Sequence, residues 1–260
     1  MLRRWCIPLA GLALVGGALA AAAPAVAVSH PVRPTIHLIR PAMHGTAPMA
    51  VRGRPARAVL TGNWSGFAAH GKTYKKISAS WVEPTGHCTG SSTFSSFWVG
   101  LDGFASHTVE QTGSEVDCIG GHARYFAWYE MYPAFPVNFS NPVRPGDHFT
   151  GSVTFTGGGH YTLVLKDTTR GWSHTVHKTL RGAANSSAEV IAEAPSSSGG
   201  ILPLTNFGTV HFSQAAVNGA AMGRANPTKI IMVNDSGRAK DSVSALTGGT
   251  AFSAKWLHST

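Results

Sequence analysis

The chain has 260 residues, and its 21 Lys and Arg outnumber its 12 Asp and Glu, which gives a formal net charge of +9. Seven of the basic residues precede residue 63, so the remaining 14 nearly balance the 12 acids and leave a charge near +2. A nearly balanced domain argues against nucleic-acid binding, which requires a concentrated basic face. The sequence also lacks a Ser/His/Asp signature, a metal-ligand spacing and a phosphate-binding loop.

Residues 1–27 have the pattern of a secretory signal peptide. Arg3 and Arg4 form a positive start, residues 7–23 are an apolar run, and Ala25-Val26-Ala27 supplies a small-residue cleavage site. The alternative is a membrane anchor, but the run is short and rich in Gly and Ala, whereas a spanning helix needs about 20 strongly apolar residues. The sequence therefore predicts secretion, with no membrane association once the signal is removed.

Residues 28–62 form a segment of different composition. It holds five Arg and five Pro and contains no Asp or Glu. A Pro-rich segment of one charge sign buries too little apolar surface to offset the entropy of ordering it. The segment is predicted to be a removable pro-segment or a linker; a disordered tail without a role is the alternative.

Residues 63–260 are predicted to form one β domain, which is long enough for a sizeable core. Short segments of alternating apolar and polar residues recur between Gly, Pro, Asn, Asp and Ser, and no sustained helical stripe is present. Such a pattern favours an all-β antiparallel sandwich of the jelly-roll or lectin-like kind. The predicted strands are Trp64–Ala69, Ile77–Val82, Ser96–Leu101, Ala123–Tyr132, His148–Thr156, Tyr161–Asp167, His174–Leu180, Ser187–Ala192, Thr209–Ala216, Lys229–Val233 and Ala251–Trp256.

Alternation along two of these strands places carboxylates on the same faces as aromatic or apolar side chains. In residues 125–132, Glu130 shares one face with Trp128, and farther along the chain Glu189 and Glu193 point the same way. A carboxylate among aromatic rings is costly unless it is hydrogen-bonded. Such a placement is more typical of a groove than of a dry core.

The cysteine content agrees with an exported protein. Cys6 leaves with the signal peptide, which leaves the pair Cys88 and Cys118. In an oxidising compartment an even pair predicts a disulfide, and a loop of about 30 residues gives it roughly 3–4 kcal/mol in the chain-entropy model. Two separate buried thiols are the alternative.

Several short motifs in a fixed order resemble the glutamic peptidases, also called eqolisins. Each motif is weak alone, but their order and spacing over residues 60–260 are specific. The motifs are Asn63-Trp64-Ser65-Gly66, Phe97-Trp98-Val99-Gly100-Leu101-Asp102-Gly103, Gln111-Thr112-Gly113, Ala127-Trp128-Tyr129-Glu130-Met131-Tyr132-Pro133, Ala188-Glu189-Val190-Ile191-Ala192-Glu193 and the weaker Asn206-Phe207-Gly208-Thr209-Val210-His211-Phe212.

The resemblance implies a sandwich of two large sheets, with a substrate groove on one face and a catalytic pair formed by Gln111 and Glu193. It also implies residues that line the groove and a buried supporting acid, which are Trp98, Trp128, Glu130 and, as the acid, Asp102. Polypeptides are the expected substrates, and no metal or cofactor is expected. We expect a monomer.

The chemistry of these two side chains suits peptide hydrolysis. As a carboxylate, Glu193 can take a proton from an attacking water and then give it to the leaving amine. The amide N–H of Gln111 can donate to the oxygen of the tetrahedral intermediate. An ordinary Glu titrates near 4.3, so the cycle favours acidic solution.

The chain also departs from the family pattern. Fungal members have strongly acidic mature domains and often carry further acids after the catalytic Glu, whereas Ala194-Pro195-Ser196 follows Glu193 here. This difference places a very low pH optimum in doubt. Between Gln111 and Cys118 the chain has one residue more than the common family spacing. Either Glu115 or Asp117 could therefore occupy the position of the family's supporting acid.

Two other functions fit the same residues. A glycosidase would pair Glu130 with Glu193 and use Trp98 and Trp128 as sugar platforms. A lectin-like module without catalysis would hold a polysaccharide in an aromatic groove.

Overall fold

The computed structural model describes residues 58–104, 106–197 and 199–260. The predicted signal peptide and residues 28–57 of the predicted pro-segment lie outside the described residues. Ala58–Thr61, at the end of that segment, is a strand of the first sheet, five residues before the predicted domain start. Within the described ranges, no helix has the length and hydropathy needed to cross a membrane.

The described chain consists of β-strands and one short 3-10 helix at Met222–Ala225. The strands in chain order are β1 (Ala58–Thr61), β2 (Trp64–His70), β3 (Lys76–Val82), β4 (Thr93–Leu101), β5 (Val109–Ile119), β6 (His122–Tyr132), β7 (Val137–Asn138), β8 (His148–Gly157), β9 (His160–Asp167), β10 (Trp172–Thr179), β11 (Ser187–Glu193), β12 (Ser196–Ser197), β13 (Gly200–Ile201), β14 (Thr209–Val217), β15 (Ala220–Ala221), β16 (Thr228–Met232), β17 (Asp241–Val243) and β18 (Phe252–Trp256).

These strands form two large sheets and a small hairpin. The first sheet has the order β1-β16-β2-β11-β4-β5-β6-β7, and the second has the order β10-β9-β8-β3-β14-β18-β17, with β15 beside β14. Neighbouring strands are antiparallel except for β1 and β16, which run parallel. The all-β sandwich of two large sheets is therefore confirmed, with one parallel pair at an edge.

The main core lies between the two sheets. Because side chains alternate along a strand, every second residue of β4 faces this core and the residues between them face the other way. The first sheet contributes Phe97, Val99, Leu101, Val190 and Ala192, and the second contributes Trp81, Phe149, Val153, Leu163 and Leu165. Each of these side chains is buried.

A second apolar cluster covers the opposite face of the first sheet. We call this face the groove face. Its cluster consists of Trp64, Ala68, Trp98, Phe104, Val109, Trp128, Ile191 and Ile230. The alternation predicted for residues 125–132 and 189–193 agrees with these two clusters, since Ala127 and Val190 lie in the main core while Trp128 and Ile191 lie in the second.

The predicted disulfide is present between Cys88 and Cys118. It joins the loop between β3 and β4 to the end of β5, across a sequence separation of 30 residues. The expected contribution of about 3–4 kcal/mol comes from the loss of chain entropy in the unfolded state.

Candidate active site

The strand register brings Gln111 and Glu193 onto the groove face of one sheet. Glu193 on β11 pairs with Ser96 on β4, and Gln111 on β5 pairs with Gly100 on β4. Ser96 and Gly100 are four residues apart on one strand, so their side-chain directions agree. The amide and the carboxyl therefore share a face, with only β4 between their strands.

Glu193 is fully buried and held by two donors. Trp98 Nε1 donates to its Oε2 at 2.7 Å, and Asn63 Nδ2 donates to its Oε1 at 3.1 Å. The Trp98 ring packs against the Trp64 ring in a T-shaped arrangement, with the ring centroids 4.8 Å apart and the ring planes at 76° to each other. Burial raises the pKa of Glu193 to about 8, although the hydrogen bonds, that of Trp98 foremost, favour the ionised form.

The Trp98 indole extends from Glu193 toward Gln111. A Cβ at Gly100 would lie 2.9 Å from Trp98 Cζ3 and 3.2 Å from Gln111 Cβ, so this edge of the ring covers Gly100. The Nε1 edge bonds Glu193. Gly113 pairs with Trp98, and a Cβ there would come within 2.6 Å of Trp98 Cβ. Gly100, of the Trp-Val-Gly motif, thus leaves space for this indole, while Gly113, of the Gln-Thr-Gly motif, lets β5 approach the backbone of β4 closely at Trp98.

Gln111 is anchored by a carboxyl on the next strand. Its Nε2 donates to Glu130 Oε2 at 2.6 Å, and the two residues are direct cross-strand partners on β5 and β6. One N–H of the amide remains available, and its Oε1 has no hydrogen-bond partner among the described residues. The amide is therefore oriented by one bond while still able to donate another.

Glu130 is within electrostatic reach of Glu193. Burial holds the pKa of Glu130 well above its usual range, and the charges of Glu193 and Glu115 raise it further, whereas the bond from Gln111 lowers it. Glu115 occupies the groove-face position opposite Ser96, in register with Glu193. Of the two acids that the sequence left open, Glu115 is the one whose charge is found to raise the pKa of Glu130.

Asp102 ties the end of β4 to the chain that leads into β11. Its carboxylate accepts hydrogen bonds from the backbone N–H of Asn185 at 2.6 Å and of Ser186 at 2.8 Å, and from the Ser106 hydroxyl at 3.0 Å. Asp102 is buried and adopts a positive φ of 68°. These contacts fix the start of the strand that carries Glu193.

The comparison with protein families identifies the family to which this fold belongs. The profile of the Peptidase A4 family matches residues 62–256, most of the described chain. The chain belongs to the peptidase A4 family. It is a glutamic-type peptidase, and so a hydrolase, rather than the glycosidase or the binding module that the sequence left as alternatives.

Individual relatives agree with this assignment. Aspergillopepsin-2 of Aspergillus niger is 27% identical over 199 residues, which cover 66% of this chain and 71% of that protein. Scytalidopepsin B of Scytalidium lignicola is 34% identical over 116 residues, 44% of this chain and 43% of that protein.

Solved structures of the family share the sandwich. Scytalido-glutamic peptidase, crystallised with a transition-state analogue inhibitor, superposes with a TM-score of 0.66 at 25% identity, covering 75% of this chain and 98% of that one. Aspergilloglutamic peptidase from Aspergillus niger gives a TM-score of 0.57 at 26% identity, covering 64% of this chain and 99% of that one.

The residues predicted for this A4 peptidase site all lie in the first sheet or at its strand ends. Trp98 and Trp128, predicted to contact substrate, have exposed fractions of only 0% and 1%. Trp98 bonds Glu193, while the backbone oxygen of Trp128 accepts a hydrogen bond from Thr112 Oγ1 at 2.7 Å. Among the described residues, no group of three or more His, Cys, Asp or Glu is arranged to hold a metal ion.

Sequence reasoning gave no role to two residues that the structure places at the site. Asn63 donates to Glu193, and Trp64 packs edge-on against Trp98. The signal that could have identified them is the Asn-Trp-Ser-Gly motif at the start of β2, which pairs with the end of β11.

Proposed function

We propose that this A4 peptidase is a secreted endopeptidase that cleaves polypeptides at acidic pH with Gln111 and Glu193 as its catalytic pair. The observation that carries the proposal is the shared groove face. There, an oriented amide and a hydrogen-bonded carboxyl flank one buried indole. The disulfide supports an oxidising compartment. We further propose a monomer.

The proton transfers run through Glu193. As a carboxylate, it accepts a proton from the water whose oxygen attacks the peptide carbonyl carbon. The carbonyl π electrons move to the oxygen, which becomes the anion of a tetrahedral intermediate. When the C–N bond breaks, Glu193 returns the proton to the departing nitrogen, and an acid and an amine result.

Gln111 stabilises the negatively charged oxygen of that intermediate. The second N–H of its amide donates to the developing negative charge, while the first is held by Glu130. A protonated Glu130 still offers an acceptor oxygen, so the anchor persists at acidic pH. The amide itself does not titrate and therefore does not compete for the proton that Glu193 carries.

We expect ionisation of Glu193 to depend on a water molecule that enters the site with the substrate. In the chain without substrate, burial raises the pKa to about 8, so the acid form predominates in acidic solution. Each carboxyl oxygen of Glu193 already accepts one hydrogen bond, Oε2 from Trp98 and Oε1 from Asn63. A water admitted with the substrate adds a donor and relieves part of the desolvation. We therefore infer that substrate binding lowers this pKa and produces the carboxylate where it is needed.

Gln111→Ala is expected to lower kcat for a peptide substrate by about 10²–10³-fold with a much smaller change in KM, because the lost donor acts on the intermediate. The measurement is steady-state hydrolysis of a fluorogenic peptide in acidic buffer. Gln111→Met, which keeps the approximate size but has no N–H group, should show the same loss. A variant with a raised KM and an unchanged kcat would make Gln111 a binding residue. Unfolding midpoints of both variants control for folding.

A further inference from the structure

The acidic residues of this chain are almost absent from its surface. All 12 lie in the described part, where ten are buried, Glu115 is half-buried and Asp235 alone is exposed. Eleven of the 14 described Lys and Arg are exposed. The near balance counted from the sequence therefore does not hold at the surface, which presents cations to solvent with almost no carboxylates between them.

One large face of the sandwich carries exposed lysines and no acidic side chains at its described positions. We call it the outer face. It consists of the outward-pointing side chains of the second sheet, on the side away from the main core. These are the alternate residues of Ser173–Thr179, His160–Lys166, His148–Thr154, Lys76–Val82 and Thr209–Ser213, together with Ser253 and Lys255. Six strands spaced about 4.8 Å apart make it about 24 Å wide.

Hydroxyl groups cover the outer face in cross-strand rows. One row over five strands consists of Ser173, Lys166, Thr150, Ser80 and Ser213. Ser80 Oγ lies 3.0 Å from Thr150 Oγ1, so the rows are partly ordered by their own hydrogen bonds. Each hydroxyl can both donate and accept, which suits a partner that is itself rich in hydroxyls.

The charged side chains of the outer face are all lysines. Lys76, Lys166 and Lys255 are exposed on it, and no Asp or Glu occupies any of its described positions. Histidines also lie on the outer face, two of them hydrogen-bonded to neighbouring hydroxyls: His177 Nδ1 to Thr162 Oγ1 at 3.1 Å and His160 Nδ1 to Thr179 Oγ1 at 3.0 Å. A solvated sheet face ordinarily mixes both signs of charge.

We propose that the outer face binds an acidic polysaccharide, a polymer with carboxylate groups on hydroxyl-rich sugar rings. The lysines would pair with the carboxylates, and the rows of Ser and Thr with the sugar hydroxyls. Because this face and the groove face lie on opposite sides of the sandwich, the peptidase would remain open to its substrate while attached to such a polymer.

The composition of the face favours a polysaccharide over a nucleic acid. Single-stranded nucleic acid is bound largely by stacking on aromatic rings, and no Phe, Tyr or Trp occupies the described positions of the outer face. Arginine, the residue suited to bidentate phosphate contacts, is also absent from those positions. Lysine and hydroxyl groups remain, on a flat surface.

The test is retention of the complete protein on immobilised polygalacturonate at low salt and mildly acidic pH. The variant Lys76→Thr/Lys166→Thr/Lys255→Thr removes three charges from the outer face. Its matched control, Arg124→Thr/Arg224→Thr/Arg238→Thr, removes three exposed charges from elsewhere. We expect the first to weaken binding by roughly tenfold or more and the second to have a much smaller effect, with binding of the unmodified protein falling steeply as salt rises.

Three outcomes would overturn the proposal: no retention of the unmodified protein, equal weakening of both triple variants, or tighter binding to duplex DNA than to polygalacturonate. Peptide hydrolysis by both variants is measured in parallel. Unchanged hydrolysis with lost retention supports the outer face independently of the catalytic pair, so failure of one proposal is distinguishable from failure of the other.

Discussion

Glu193→Gln is expected to lower kcat for peptide hydrolysis by at least about 10²–10⁴-fold, because the variant has no group at this position that can carry the proton between water and the leaving amine. Glutamine keeps the size of the side chain and retains an acceptor for Trp98 Nε1, which donates to this residue at 2.7 Å. We therefore expect the fold to survive, with an unchanged far-ultraviolet circular dichroism spectrum. Casein digestion in acidic buffer measures the loss.

The matched control is Glu189→Gln on the same strand. Glu189 is also fully buried, lies on the same face four residues earlier, and pairs with Gly100 rather than Ser96. This variant should keep its activity, because the groups that shift the pKa of Glu189, beyond burial, are Ser187, Asp102, Glu110 and the backbone of Phe104, and neither Glu193 nor Glu130 is among them. Near-normal digestion by Glu193→Gln, or equal losses in both variants, would refute the assignment of the catalytic acid.

The second large effect is a fall in stability as the pH rises. Burial raises the pKa of Glu193 to about 8, and burial followed by the charge of Asp102 does the same for Glu110. Burial also holds the pKa values of Glu83 and Glu189 well above their usual range. Each of these groups binds its proton more tightly when folded than when unfolded.

The direction in which stability changes with pH follows from these raised pKa values. Because the folded pKa lies above the unfolded value near 4.5, the contribution is complete below pH 4.5 and is lost as pH rises to about 8. Glu110 and Glu193 alone would each account for roughly 5 kcal/mol over this window. The unfolding midpoint should therefore fall by more than about 10 °C between those limits.

Single substitutions separate this effect from general surface charge. Glu110→Gln should flatten the dependence of the unfolding midpoint on pH, since one buried ionisation is removed. Asp235→Asn, at the exposed acid, should leave the slope unchanged. A midpoint that is constant, or that rises between pH 4.5 and 8, would show that these carboxyls ionise without cost in the folded chain.

Much of the strand pattern could be predicted from the sequence, because Gly, Pro and Asn punctuate alternating runs. The strand that carries Gln111 could not be predicted in this way. Residues 109–119 read Val-Glu-Gln-Thr-Gly-Ser-Glu-Val-Asp-Cys-Ile, without apolar alternation. This strand lies inside the first sheet with both faces largely covered, so its polar residues are buried rather than turned to solvent. The strand Ala58–Thr61 could not be predicted for another reason. Its short apolar run directly follows the basic Pro-rich residues and was grouped with them.

The site was predictable as a set of motifs but not as a set of contacts. The order of the motifs singled out Gln111 and Glu193, whereas the partnership of Trp98 with Glu193 depends on the register of β4 against β11. Surface charge was misjudged for a similar reason. Counting residues treats each acid as exposed, but burial of ten of them is set by contacts between strands that are distant in sequence.

The most direct test of the central claim, that Gln111 and Glu193 act on the same bond, is single-turnover hydrolysis of one peptide by four proteins: unmodified, Gln111→Ala, Glu193→Gln and the double variant. Residues that act as one unit give losses that do not add. We predict that the double variant is no slower than Glu193→Gln alone. A double variant slowed by the product of the two single losses would contradict the account, because each residue would then act on its own.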